Sequence, residues 1–243
     1  MSVPQNNLTE RMTGAERDQS FPDSVPRDAA TLMLIDRSGP EPLVLLGRRH
    51  ANHKFMPGKF VFPGGRIEKA DVDMTAAAEL DAAAAKKLSA RLHEGPPARA
   101  FPLAAIRETF EETGLMLGVK GASKAPNVEW AAFSQANILP DLSQVHFIAR
   151  AITPPRRPKR FDTRFFTVDA QHVAHKVDGV VGPDSELVEL VWIPIREART
   201  LDMPTITGVV LEELAARVTA GMAHSLPVPF YFMKDQKFFR ELL

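Results

Sequence analysis

The stretch LAAIRETFEETG, Leu103 to Gly114, constrains the fold more than any other part of the chain. With Glu108 as zero on a helical wheel, Glu111 falls at about 300° and Glu112 at about 40°, while Leu103, Ile106 and Phe110 fall at roughly 220°, 160° and 200°. A helix over about 103–113 therefore buries one side and presents three carboxylates on the other, and Gly114 stands where a left-handed C′ residue ends a helix. Its apolar side needs a second layer to cover it. Like charges at i and i+4 disfavour an isolated helix by a few tenths of a kcal/mol. Bound cations would offset that, and carboxylates on a rigid helix suit a hard divalent cation. Taken alone, the stretch reads first as a solvated acidic face.

The surrounding pattern supplies the second layer. AATLMLID (Ala29–Asp36) reads as a buried strand, RSGPEP as a turn, and LVLLGRR (Leu43–Arg49) as its hairpin partner. FVFP (Phe60–Pro63) is a short strand running into a double glycine. Further strands are expected at Val145–Thr153, Thr163–Ala170 and Glu186–Ile195. Helices are expected at Asp73–Gly95, with Thr75 as the cap candidate, from REARTLD onward, and at Thr205–Gly221. Strands and helices mix without regular alternation, so an α/β/α sandwich around a mixed β-sheet is expected. Residues 1–26 read as an N-terminal arm and 27–243 as one domain. That domain carries a helical insertion over about 72–103 and a C-terminal helical extension over about 196–243.

Composition narrows the chemistry. Lys+Arg and Asp+Glu balance at 30 each, which leaves no electrostatic footprint for nucleic acid or an anionic membrane. Zero cysteines exclude thiolate metal sites, disulfides and a cysteine nucleophile. A metal must then use oxygen or imidazole ligands, which favours Mg²⁺, Mn²⁺ or Ca²⁺. The N-terminal stretch has no apolar core of the signal-peptide kind, and no run approaches the ~18 apolar residues of a membrane span. The cytoplasm is the expected location.

FPGGRIEKAD, read together with RETFEETGL, resembles the Nudix box: a glycine, five residues, a glutamate, seven residues, then R-E-U-x-E-E-x-G-U with U apolar. Gly65, Arg107, Glu108, Glu111, Glu112, Gly114 and Leu115 fit this pattern. Asp71 stands where the pattern has glutamate, and Thr109 where it has an apolar residue. Between Asp71 and Arg107 lie 35 residues instead of seven, an insertion of about 28. The resemblance implies Mg²⁺- or Mn²⁺-dependent hydrolysis of a diphosphate bond in a nucleoside diphosphate derivative. It implies Glu108 and Glu112 as metal ligands, Glu111 in metal binding or water activation, the Gly64 carbonyl as a further ligand, and Arg107 as the group that orients Glu111. A base from outside the box is expected at Glu186 or Glu189. A Nudix-fold nucleotide-metabolite sensor without catalysis is the alternative outside the enzyme class.

LLGRRHANHKFMPGKFVFPGG (Leu45–Gly65) resembles the signature that precedes the box in coenzyme A diphosphatases, in register at Leu45, Leu46, Arg49, Gly58 and Phe62–Gly65. Gly47, His50 and Lys54 depart from it; Lys54 keeps the charge of an arginine but loses the bidentate fork. The resemblance makes coenzyme A or acyl-CoA the lead substrate and Arg49, Lys54, Lys59 and Arg66 its binding residues, with ADP-ribose or NADH as alternatives. PPRRPKR (Pro154–Arg160) reads first as a solvated basic loop. A homodimer, through the N-terminal arm or the aromatic C-terminal tail, is left open by the sequence.

Overall fold

The computed structural model describes residues 5–53, 56–90, 95–122 and 124–243. In chain order the elements are α1 (Gln5–Gly14), β1 (Arg27–Asp36), β2 (Leu43–Arg49), β3 (Phe60–Val61), β4 (Gly64–Arg66), α2 (Lys69–Asp73), α3 (Ala82–Ser89) and α4 (Ala100–Thr113). There follow β5 (Leu115–Leu117), β6 (Val119–Lys120), α5 (Ala131–Ala136), β7 (Ile138–Leu139), β8 (His146–Ile152), β9 (Phe161–Asp169) and β10 (Val173–Lys176). The chain closes with β11 (Leu187–Pro194), α6 (Thr205–Thr219), β12 (Pro229–Lys234) and β13 (Lys237–Leu242).

The main sheet runs β11-β2-β1-β9-β8-β12-β13, with β3 beside β2 and β4 beside β1. It is mixed: β1 pairs β9 in parallel and β8 pairs β12 in parallel, and the other neighbours are antiparallel. Both faces are covered. On β1, Ala30, Leu32 and Leu34 join the core under α3, α4 and α5, whereas Met33 and Ile35 join the core under α1 and α6. This is why AATLMLID reads as an unbroken apolar run instead of an alternating one. The expected α/β/α sandwich around a mixed sheet is the observed architecture.

Three segments depart from expectation. The long helix over Asp73–Gly95 does not form: Met74 is extended and fully buried, and residues 77–78 hydrogen-bond with 140–142. Tertiary backbone pairing overrides alanine's helix propensity here. The cap of α3 is then Asp81, which accepts from the amides of Ala83 and Ala84, and not Thr75. REARTLD makes only a short 3₁₀ turn, Ala198–Thr200. The C-terminal extension is helical only through α6. PVPFYFMKDQKFFRELL is a hairpin, whose two central residues Asp235 and Gln236 both have positive φ (49° and 64°). That is the geometry a two-residue hairpin turn demands, without the Asn-Gly or Asp-Gly pair that usually signals it. The N-terminal region also holds a helix, α1, which buries Leu8 and Met12 against the body.

Candidate active site

The acidic helix extends over Ala100–Thr113, three residues earlier than expected, and Gly114 ends it in the left-handed region at φ 76°. A Cβ on Gly114 would lie 2.2 Å from the Val177 carbonyl oxygen, so glycine is needed for space as well as for φ. Leu103, Ala104, Ala105 and Ile106 are fully buried against the sheet. Thr109, at the position where the family has an apolar residue, is also fully buried. Its hydroxyl donates to the Ala105 carbonyl at 2.7 Å, so it sits in the core without an unpaired polar group.

Arg107 joins the two halves of the box. Its Nε donates to Asp71 Oδ1 at 2.8 Å and its Nη2 to Asp71 Oδ2 at 3.0 Å, with both side chains out of solvent. Nη2 also donates to the Arg66 carbonyl, and Nη1 to Glu108 Oε1 at 3.0 Å and Glu111 Oε2 at 3.1 Å. Burial pulls the guanidinium pKa down. Asp71, Glu108 and Glu111 more than reverse that, so the group stays charged. The expected contact with Glu111 is present, but the principal partner is Asp71. Asp71 in turn accepts from the Glu68 amide at 2.8 Å and the Trp130 indole N–H at 3.2 Å. The insertion thus returns to the point where it left, and none of its described residues lines the candidate cleft.

That cleft, about 370 Å³ in volume, lies between β4, α4, the end of β2, the start of β11 and the loop before β9. Gly64 and Gly65 form its floor beside β1. A Cβ at Gly64 would sit 2.5 Å from the Ala30 carbonyl oxygen, and one at Gly65 2.2 Å from Glu108 Oε1. The Glu108 carboxylate therefore rests directly on the glycine backbone. Glu112 lies beside it, only 6% exposed, with a buried Oε2 that has no hydrogen-bond partner. Burial holds the Glu112 carboxyl well above the usual carboxylate range, and Glu186 and Glu108 add to this. Burial likewise pushes Glu108 up to about 7, against the pull of Arg107. Glu111 is raised too, chiefly by burial.

Of the residues expected from sequence, Glu108, Glu112, Gly64, Arg49, Arg66 and Glu186 come together around the cleft. Arg49 Nη2 donates to Glu186 Oε1 at 2.8 Å, and His53 lies 3.5 Å from the same oxygen. Glu189 instead pairs with Arg48 away from the cleft. Glu111 and Lys59 do not line it: Glu111 is turned to Arg107, and Lys59 pairs with Asp202 at 2.5 Å. Lys54 falls outside the described residues. Lys159, from the loop read as solvated, does line the cleft, and its only signal in sequence is the run of basic residues. Trp130 is fully buried, whereas Trp192 is 43% exposed and not a core residue.

Among the described residues no three acidic or imidazole side chains converge as a ready metal cluster. The donor set nonetheless fits a hard divalent cation. Glu108 and Glu112 are adjacent, the Gly64 backbone lies close by, and Glu112 Oε2 is a buried oxygen with nothing to bind. Leaving a carboxylate oxygen in that state costs stability unless something neutralises it.

No protein-family model matches the chain. It is 28% identical over 186 residues to "Putative nudix hydrolase 7" of Caenorhabditis elegans, covering 70% of this chain and 52% of that protein. The chain thus spans about half the length of this curated relative. Among solved structures, a NUDIX hydrolase from Alicyclobacillus acidocaldarius superposes with a TM-score of 0.65 at 29% identity, covering 84% of this chain and 97% of that one. No described helix is long and apolar enough to cross a membrane. The fold is the Nudix fold, and both the sequence relative and this solved structure are described as Nudix hydrolases.

Proposed function

We propose that the protein is a divalent-metal-dependent hydrolase that cleaves the diphosphate bond of a nucleoside diphosphate derivative. The observation that carries this reading is the unpartnered, buried Glu112 oxygen beside Glu108 on the Gly64–Gly65 floor. Two desolvated carboxylates side by side are a standing cost to the fold, and a cation-binding role accounts for their presence. Bound Mg²⁺ or Mn²⁺ would supply charge neutralisation on the phosphoryl oxygens and acidify a water. Glu108, Glu112 and the Gly64 carbonyl would hold it. Arg107, locked by Asp71, fixes the rotamers of Glu108 and Glu111. Arg49, Arg66 and Lys159 give the cleft the cations that a diphosphate needs. Glu186, which accepts from Arg49, would take a proton from the attacking water.

Coenzyme A or an acyl-CoA is the lead substrate. The support is the match of Leu45–Gly65 to the coenzyme A diphosphatase signature and the presence of Arg49 in the cleft. A panel of coenzyme A, ADP-ribose and NADH with Mg²⁺ or Mn²⁺, read by product mass, tests both levels. The expected product from coenzyme A is 4′-phosphopantetheine. Turnover of ADP-ribose or NADH alone would remove the lead substrate and keep the reaction class. No turnover of any diphosphate, with a nucleotide metabolite bound, would favour the sensor.

A further inference from the structure

The turn after β2 carries His53 into the cleft beside Arg49 and Glu186. The His50 amide donates to the Glu186 carbonyl at 3.0 Å, and the His53 amide donates to the His50 carbonyl at 3.0 Å. The Asn52 amide donates to His50 Nδ1 at 3.0 Å. The turn is thereby tied to the backbone of the residue whose carboxylate it faces. Arg49 bridges the other two side chains with the two ends of its guanidinium. Nη2 donates to Glu186 Oε1 at 2.8 Å, and Nη1 lies 3.0 Å from His53 Nδ1. Arginine has donors and no acceptor, so this contact fixes the imidazole: Nδ1 accepts, and the ring proton sits on Nε2. Nε2 lies 3.5 Å from Glu186 Oε1, the same oxygen that accepts from Arg49. A doubly protonated ring would instead set two donors against each other at Nδ1.

We propose that His53 is a positioning residue: as a neutral ring it accepts from Arg49 at Nδ1, turns its Nε2 proton to Glu186, and so holds the Glu186 carboxylate in the cleft. The proposal rests on the hydrolase reading with Glu186 as base and adds to it a residue outside the box. The need for such a residue is physical. The Glu186 side chain is 42% exposed, so its rotamers are not fixed by packing, whereas a base must meet its water at one point. The Arg49 side chain is 13% exposed and reaches Glu186 from β2, and His53 sets which way its fork faces. The pair also stands beside the proposed cation site, since the Glu186 charge raises the Glu112 carboxyl and the Arg49 charge lowers it. Glutamine in place of His53 can offer an oxygen to Arg49 and an N–H to Glu186, whereas leucine offers neither.

The first test needs no turnover. Long-range proton–nitrogen spectra of the full chain are recorded in EDTA at about pH 8.5, above the ordinary histidine range. The His53 signals are assigned by their loss in His53→Gln. The proposal expects the proton on Nε2, and it expects Arg49→Met to move the Nδ1 resonance by several ppm towards that of a free acceptor. A proton on Nδ1, or an Nδ1 resonance that Arg49→Met leaves in place, overturns it. The second test is steady-state turnover with Mn²⁺ of whichever diphosphate the panel shows to be cleaved. His53→Leu is expected to lower kcat roughly tenfold with KM little changed, and His53→Gln to restore most of the loss. In a Glu186→Gln background, His53→Leu is expected to cost nothing further. Full kcat in His53→Leu, or an equal loss with and without Glu186, overturns the proposal. The readings fail separately. Turnover of no diphosphate sinks the hydrolase and leaves the spectra to decide the His53 contact. A low kcat in Glu186→Gln beside an unaffected His53→Leu keeps the base and sinks the positioning role.

Discussion

Arg107 and Asp71, 36 positions apart in sequence, form a two-point ion pair at 2.8 and 3.0 Å with both side chains out of solvent. It closes the box across the insertion, and it holds the guanidinium whose other side fixes Glu108 and Glu111. Removing one partner of a buried pair leaves the other charge uncompensated, typically at a cost of about 3–5 kcal/mol. Asp71→Asn, which keeps the shape, is therefore expected to lower unfolding stability by about 3 kcal/mol. The urea midpoint is the measurement. A shift under about 0.5 kcal/mol, the range of ordinary surface substitutions, would mean that the pair does not join the two halves.

Trp130 supports the same carboxylate from the residues after the box. Trp130→Phe retains a large ring in the core but loses the indole donor to Asp71. A hydrogen bond to a charged group contributes about 1.5–3 kcal/mol, and a loss within that range is expected. In the Asp71→Asn background the loss should shrink, because the acceptor no longer carries the charge. A double-mutant cycle reads this coupling, and strict additivity would contradict it.

Gly65 is constrained by Glu108 and not by φ. A methyl group there would meet Glu108 Oε1 at 2.2 Å. Gly65→Ala is expected to displace the carboxylate, weakening Mn²⁺ binding by at least about tenfold with little change in the thermal midpoint. Mn²⁺ titration followed by electron paramagnetic resonance would show it. Unchanged affinity would place Glu108 outside the cation site.

Outside the residues that line the cleft, His146 stacks on His224 with ring centroids 4.1 Å apart. Burial, with His224 next in size, lowers the His146 pKa to about 4. The unfolded chain, with histidine near its ordinary 6.5, then binds more protons than the folded one between about pH 4 and 6.5. This contribution to stability is full above 6.5 and is lost as the pH falls through that window. His146→Gln is expected to flatten the acid limb of stability against pH, read from urea midpoints at several pH values. An unchanged slope would assign the acid limb to other groups.

The sequence made the box glutamates legible because helix periodicity and motif spacing agree on them, and AATLMLID was legible because a strand covered on both faces leaves a continuous apolar run. Trp130 as a donor to Asp71 was not legible, since they lie 59 positions apart and share no pattern. Asp81 as the cap of α3 depends on the pairing of residues 77–78 with 140–142, a tertiary contact that local alanine content hides. The final hairpin carries Asp-Gln at its turn, and β12 gains its place by adding to β8. Lys159 and Glu186 reach one cleft only because β9 and β11 flank the β2–β1 pair from opposite sides.

Glu112 is where the proposed cation site stands or falls. A buried carboxylate with an unpartnered oxygen destabilises the fold, and a divalent cation bound to that oxygen would remove the cost. Thermal unfolding of the full chain with and without Mn²⁺, for the native sequence and for Glu112→Gln, tests this without relying on turnover. Mn²⁺ is predicted to stabilise the native protein. Glu112→Gln is predicted to be more stable than the native protein in EDTA and to gain nothing from Mn²⁺. An equal Mn²⁺ shift in both proteins would contradict a cation held by Glu112.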